Sequence, residues 1–249
     1  MKNTLSSEAK EELSRLLSRI LDSYTNIALQ LNAFDIAAQK YATPQYLENK
    51  DFYLSTINNI PSRFLLPLEM DNVLTAKELT EKYRKTLLEA ISKDYLIRIV
   101  ADIDISLENI YESYLRIKAP TKDNCKIEKE VRNFWTNNIY RSFFIDELAI
   151  AIPSGKKSTW DMIFDRYDEL RIIRHAIIHN SAILTQKHKN KLIDIELRLP
   201  EGNTMTLLKR YDLIKDEKVT FYSVEQILDL RKYFYEFVYF IQQAFIEYK

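Results

Sequence analysis

Two glycines in 249 residues leave this chain few cheap places for backbone with positive φ. An all-β design needs many tight turns of that kind. Long helices joined by few connections suit the sequence better, and the apolar spacing agrees. Over 7–40, Leu13, Leu16, Leu17, Ile20, Leu21, Tyr24, Ile27, Ala28, Leu31 and Phe34 recur at threes and fours, which predicts one long helix with Ser7 as its N-cap. Pro44 follows its end.

Residues 45–74, broken by Pro61 and Pro67, read as short helices and loops. Thr75-Ala76-Lys77-Glu78 matches a capping box and opens a helix to about residue 91. A second pattern, from Leu96 through Ile99, Val100, Ile103 and Leu107 to Leu115, predicts a helix over 94–118. One or two shorter helices fit 126–151, with Val131, Phe134, Trp135, Ile139, Phe143, Phe144, Leu148 and Ile150 as core. Pro153-Ser154-Gly155 is a loop, after which Ser158 or Thr159 caps a helix over about 159–183.

The period then changes. Ile193, Ile195, Leu197 and Leu199 alternate with Asp194, Glu196 and Arg198, which predicts a strand. Pro200-Glu201-Gly202-Asn203 reads as a turn, Thr204–Leu208 as a returning strand, and Val219–Tyr222 as a third short one. Ser223-Val224-Glu225-Gln226 is a capping box for a last helix, whose Ile227, Leu230, Phe234, Phe237, Ile241 and Phe245 form one apolar stripe. Its aromatic residues, Tyr233 and Tyr235 among them, suit a core or a subunit interface better than a base-stacking platform. The expected fold class is mainly α: an up-and-down helical bundle with an extra N-terminal helical region and a small inserted β-hairpin. The expected division is 1–92 as the N-terminal helical region and 93–249 as a helical domain, with the hairpin at about 191–222.

Charge and cysteine content exclude several function classes. Lys and Arg number 36 and so do Asp and Glu, so no global basic field is available to coat nucleic acid, and any RNA contact has to be local. A single cysteine, Cys125, excludes a disulfide framework within the chain and a cysteine-rich zinc site, and a cytoplasmic, reducing location is expected. The first residues run straight into a charged amphipathic pattern with no signal-type apolar stretch. No apolar run approaches the roughly 18 residues of a membrane span, so no membrane partner is expected.

Two of the three histidines lie in Arg171-Ile172-Ile173-Arg174-His175-Ala176-Ile177-Ile178-His179-Asn180. On a helix, residues four apart share a face, so Arg171, His175 and His179 line one side in successive turns. Leu170, Ile173, Ile177 and Leu184 take the opposite, core-facing side, and Arg174 flanks the polar stripe. The string resembles the Arg-x4-6-His motif of HEPN domains, with Arg174, His175 and His179 in the motif positions. The context adds to the resemblance: a long helix precedes the motif helix at 94–118 and another closes the chain. The resemblance covers roughly 93–249, and the minimal HEPN four-helix bundle accounts for neither residues 1–92 nor the 191–222 segment.

The resemblance implies a metal-independent endoribonuclease acting as a homodimer, with two motif helices building a composite site. It implies cleavage of RNA by transfer to the 2′-hydroxyl, and the biology of a toxin or anti-phage (abortive-infection) effector with an antitoxin or defence-system partner. The residue types fit that chemistry, since imidazole suits proton transfer near neutrality and guanidinium suits a phosphorane. His179 is the expected acid or base, Arg174 the phosphate holder, and His175 an assisting group. Arg171, Asn180, Lys187 and Lys189 are expected substrate contacts, with Lys191, Lys156 and Lys157 as further basic residues. No cofactor is expected. His175-x3-His179 also has the spacing of a helix-borne zinc pair, but Ala176 stands where the metalloprotease motif needs Glu, and no metal is expected. Two other readings remain open: a non-catalytic HEPN-like binding or dimerisation module, and a helical scaffold in which the motif is incidental.

Overall fold

The computed structural model describes residues 2–59, 61–67, 70–199 and 206–248. The expected turn at 200–203 and the first residues of the expected strand at 204–208 lie outside them. The chain groups into two compact units, Thr25–Ser92, and Met1–Tyr24 with Lys93–Lys249. The first 24 residues therefore group with the part of the chain from Lys93 onward. The fold is mainly helical with small antiparallel hairpins. Among the described residues no helix is long and apolar enough to cross a membrane.

The first helix, α1 (Lys2–Tyr41), starts before Ser7, so Ser7 lies inside the helix and is not its cap. After α2 (Pro44–Leu47) come β1 (Tyr53–Ser55) and β2 (Val73–Thr75), an antiparallel pair with Leu54 opposite Leu74. Three-residue strands are too short to show a period, which is why the sequence reads as loop there. The Asp71 carboxylate holds this hairpin, accepting from Ser55 Oγ at 2.7 Å and from the Ile57 N–H at 3.2 Å. The Thr75–Glu78 capping box forms as expected and opens α3 (Ala76–Glu81). That helix does not stop near 91. A π-helical turn, Lys82–Thr86, passes it directly into α4 (Leu87–Lys118). With no Gly or Pro between 76 and 118, nothing breaks the backbone.

The remaining elements are α5 (Asn124–Arg132), α6 (Ile139–Ser142), which continues into a π-helical turn at Phe143–Glu147, α7 (Trp160–His179), α8 (Gln186–Leu197), α9 (Leu207–Arg210), β3 (Ile214–Lys215), β4 (Lys218–Val219) and α10 (Val224–Glu247). Of the residues expected as core over 126–151, Phe134, Phe143, Phe144, Leu148 and Ile150 are buried, while Val131, Trp135 and Ile139 are half-buried.

The strand expected at 193–199 is helix through Leu197 instead. Thr185 and His188 form a capping box that starts α8. Leu192 and Ile195, three apart, then share the inward face of α8, Leu192 half-buried and Ile195 buried. Ile195 is 3% exposed, whereas Ile193 and Leu197 of the alternating set are 51% and 78% exposed. The expected strand near 204–208 is likewise displaced, by α9, whose first turn Thr206 caps. The hairpin is instead β3–β4, with Ile214 opposite Val219 and only the start of the expected 219–222 strand included.

Four long helices build the core of the unit that holds the motif. The first turns of α1 and the last turns of α10 run antiparallel, joined by Ser6 Oγ to the Phe245 carbonyl (2.5 Å) and Gln242 to Ser14 Oγ (2.8 Å). Tyr167 of α7 stacks on Phe237 of α10, with centroids 4.5 Å apart. The Tyr167 hydroxyl donates to the Val100 carbonyl and to Asp104 of α4. Leu13, Leu16, Ile20, Leu96, Ile103, Phe164, Leu170, Ile173, Phe234 and Phe245 fill the space between them. Burial of this kind stabilises by about 25 cal/mol per Å² of apolar surface.

Glycine scarcity leaves its mark. Asn137, Asn138, Ala149, Ser181, Ala182, Asp212, Asp216 and Glu217 all adopt positive φ. Asp216 and Glu217 make the two-residue turn of the β3–β4 hairpin, a place where Asn-Gly is the usual choice.

Candidate functional site

Thr159 accepts the Met162 N–H at 3.2 Å and so caps α7, and the Trp160 indole donates to the Ile150 carbonyl at 2.6 Å. From that anchored start the helix buries Phe164, Tyr167, Leu170, Ile173 and Ala176 along its length. Its charged residues divide into two groups with different surroundings.

Along the middle of α7 every charge is answered. Asp165 accepts from Arg141 at 2.7 Å and from Arg198 at 2.7 Å. Asp168 accepts from Arg141 at 2.8 Å and from the Tyr140 hydroxyl at 2.5 Å. Glu169, 0% exposed, accepts from Arg166 at 2.9 Å and from the Leu208 N–H at 3.2 Å. Arg171 donates to Asp104 at 3.1 Å and lies over the Trp135 ring, 4.0 Å from its centroid. Burial by itself would lift the Asp165 pKa, but hydrogen bonds from Arg198 and Arg141 outweigh it and hold the group below the usual carboxylate value. For Asp104 the balance goes the other way: burial outweighs Arg171, Tyr167 and Arg174, and its pKa is raised. Arg171, expected as a substrate contact, is thus committed to a buried carboxylate and an indole face.

The last turn of α7 is different. His175 and His179 are exposed and adjacent, with ring centroids 4.6 Å apart. Arg174 is half-buried, its side chain 31% exposed, with one guanidinium nitrogen 3.6 Å from Asp104. At 3.6 residues per turn, Arg174 and His179 are separated by about 140° around the helix axis, and His175 lies between them. The sequence therefore places the two histidines together correctly, while Arg174 stands on the flank beside Asp104. Ile177 is half-buried, so the apolar face narrows toward this end.

Beyond α7 the chain reverses sharply. Asn180 is the C-cap, its N–H bonded to the Ala176 carbonyl, and the half-buried residue serves the helix end. Ser181 and Ala182 follow with φ of 51° and 68°, and the Ala182 N–H also returns to Ala176 at 3.0 Å. A strained pair of this kind costs on the order of 1 kcal/mol or more per residue and persists only where neighbours hold it. Here the hairpin does so: the Val219 N–H bonds the Ala182 carbonyl at 2.8 Å and the Leu184 N–H bonds Glu217 at 2.9 Å. Leu184, expected on the core face of the motif helix, is buried, but in this connection rather than on α7.

The reversal delivers α8 against the end of α7. His188, in the first turn of α8, is buried, and its Nε2 lies 3.0 Å from His175 Nδ1. All three histidines of the chain therefore meet at one place. His188 lies outside the motif string, and helix spacing alone gives no reason to expect it here. The signal that could have placed it is Thr185-x-x-His188, a capping-box pattern with imidazole in the Glu/Gln position. Burial, then the neighbouring charges of His179, Lys191, Lys187 and Arg174, lower the His175 pKa. Burial, then His175, Lys191 and Lys187, lower that of His188.

Lys187 is exposed beside this cluster. Lys189 instead pairs with Glu217 at 2.5 Å. Among the described residues no carboxylate forms an ion pair with any of the three histidines, and no three His, Cys, Asp or Glu side chains are placed to hold a metal ion. The cluster is cationic on its borders and can donate hydrogen bonds, accept a proton and attract an anion. No family model, no curated protein and no solved structure matches this chain.

Proposed function

We propose that the chain is an endoribonuclease of HEPN type, cleaving RNA without a metal at the last turn of α7. One observation carries the reading: His175 and His179 stand exposed and side by side at the end of a helix anchored by buried Leu170, Ile173 and Ala176, bordered by Arg174, Lys187 and Lys191. Phosphodiester transfer needs a base for the 2′-hydroxyl, an acid for the departing 5′-oxygen and positive charge for the phosphorane. His179 serves as acid or base, and Arg174 holds the phosphate. The products are a 2′,3′-cyclic phosphate and a 5′-hydroxyl.

One chain offers only part of this set, since Arg174 and His179 diverge by about 140°. A two-fold dimer doubles every group and lets the arginine of one subunit serve the histidine of the other. The same divergence, with Arg174 leaning toward Asp104, favours the second reading, a HEPN-like binding or dimerisation module without catalysis. The resemblance extends the first reading to a toxin or anti-phage effector held in check by a partner protein.

Purified protein incubated with RNA in excess EDTA tests the choice. The nuclease reading expects cleavage with cyclic-phosphate ends, lost in both Arg174→Ala and His179→Ala. Intact RNA with a folded dimer selects the binding module, and a monomer that leaves RNA intact removes both.

A further inference from the structure

His188 occupies the third position of α8, where a capping box ordinarily has Glu or Gln. Its Nδ1 accepts the Thr185 N–H at 3.2 Å, while the His188 N–H returns to Thr185 Oγ1 at 3.4 Å. A ring nitrogen that accepts an amide N–H holds no proton, so neutral His188 carries its proton on Nε2. That Nε2 lies 3.0 Å from His175 Nδ1. Nδ1 of His175 is then the acceptor, and the proton of His175 resides on its own Nε2.

We infer that His188 is a positioning residue that fixes His175 as a neutral Nε2–H donor, leaving His179 as the imidazole that exchanges protons. The role toward substrate rests on the nuclease reading: His175 then offers its N–H to a phosphodiester oxygen. The fixing of the tautomer does not depend on it. To protonate His175, a proton must enter at Nδ1, against the His188 N–H already there. The charged groups facing the pair, Arg174 from α7 and Lys187 and Lys191 from α8, all oppose that added charge, as does His179 whenever it carries a proton. The same tautomer argues against a metal between the two rings, because the Nε2 lone pair a metal would need is replaced by an N–H.

Histidine-selective 15N NMR on the full chain tests this, since only three histidines contribute and each is assigned by deleting it. At pH 7, wild-type His175 and His188 should both show the Nε2-protonated pattern, with His175 titrating below 6.5. His188→Gln and His188→Glu each keep a capping box, so their melting temperatures should agree. They differ in what they offer His175. Gln can still donate and should leave its tautomer unchanged. A carboxylate should draw the proton to Nδ1 and raise the titration midpoint by about one unit or more. With RNA as substrate, the Glu variant should lose about tenfold or more in rate and the Gln variant should stay near wild type.

A wild-type His175 carrying its proton on Nδ1, or one whose tautomer and midpoint are the same in the Glu variant, overturns the inference. If the wild type shows the stated tautomers yet leaves RNA intact, the nuclease reading falls, and with it the substrate role of His175, while the positioning by His188 stands. If it cleaves RNA with His175 in the other tautomer, only this inference falls.

Discussion

The middle and the end of α7 both carry ionisable side chains and treat them in opposite ways. In the middle, Asp165, Asp168, Glu169 and Arg171 are closed off by Arg141, Arg198, Tyr140, Arg166 and Asp104. At the end, His175 and His179 have open faces and no carboxylate partner among the described residues. Polar side chains tied to one another in a poorly solvated place are structure, since loss of any one strands another. Polar side chains that share a rigid base but keep free lone pairs or N–H groups are available for chemistry. Arg171 belongs to the first group, and Arg174, three residues on and 3.6 Å from the same Asp104, stands at the boundary.

The costliest single change lies in the middle of α7. Arg141→Ala leaves Asp165 and Asp168 short of a partner and should cost about 3–5 kcal/mol in urea unfolding. A cost under about 1 kcal/mol would mean the network is not structural. At the end, His179→Ala should lower RNA cleavage by about a hundredfold or more while stability stays within about 0.5 kcal/mol of wild type. A variant that loses both together would place His179 with the structural group. The two arginines sharpen the boundary. Arg171→Ala strips Asp104 and the Trp135 face and should cost about 2–3 kcal/mol, against less than about 1 kcal/mol for Arg174→Ala.

Stability should also depend on pH through the histidine pair. His175 and His188 have folded pKa values below the ordinary 6.5. Between those lowered values and 6.5 the unfolded chain binds more protons than the folded one, so stability is full above 6.5 and declines as pH falls through that window. His188→Gln should flatten the decline in unfolding experiments run from pH 7.5 to 5, and an unchanged slope would detach His188 from it. The smallest effects belong to the lysines. Lys189→Ala breaks an ion pair whose partner Glu217 is well exposed and should cost at most about 0.5 kcal/mol. Lys187→Ala should leave stability unchanged and raise the His175 midpoint slightly, read by the same NMR titration.

Much of the helical frame was legible because it rests on local physics. The periods of α1, α4 and α10 and the capping boxes at Thr75 and Ser223 need only nearby residues. The sequence went astray where two local patterns competed. Ile193, Ile195 and Leu197 alternate like a strand, yet Leu192 and Ile195 fit a helix, and only the packing partner decides which set turns inward. The β1–β2 hairpin was invisible for another reason, since its strands are three residues long and its lock, Asp71, lies 16 residues from Ser55.

Local pattern was enough to show that a helix runs through the motif, that it begins just after Ser158 or Thr159, and that His175 and His179 share a face. Which polar residues stay free depends on packing between distant parts of the chain. Asp104 reaches Arg171 across 67 positions and Arg141 reaches Asp165 across 24. His188 arrives beside His175 because a reversal at Ser181 and Ala182 is clamped by a hairpin more than thirty positions further on. Burial and pairing depend on what the rest of the chain brings alongside, and no local pattern encodes that.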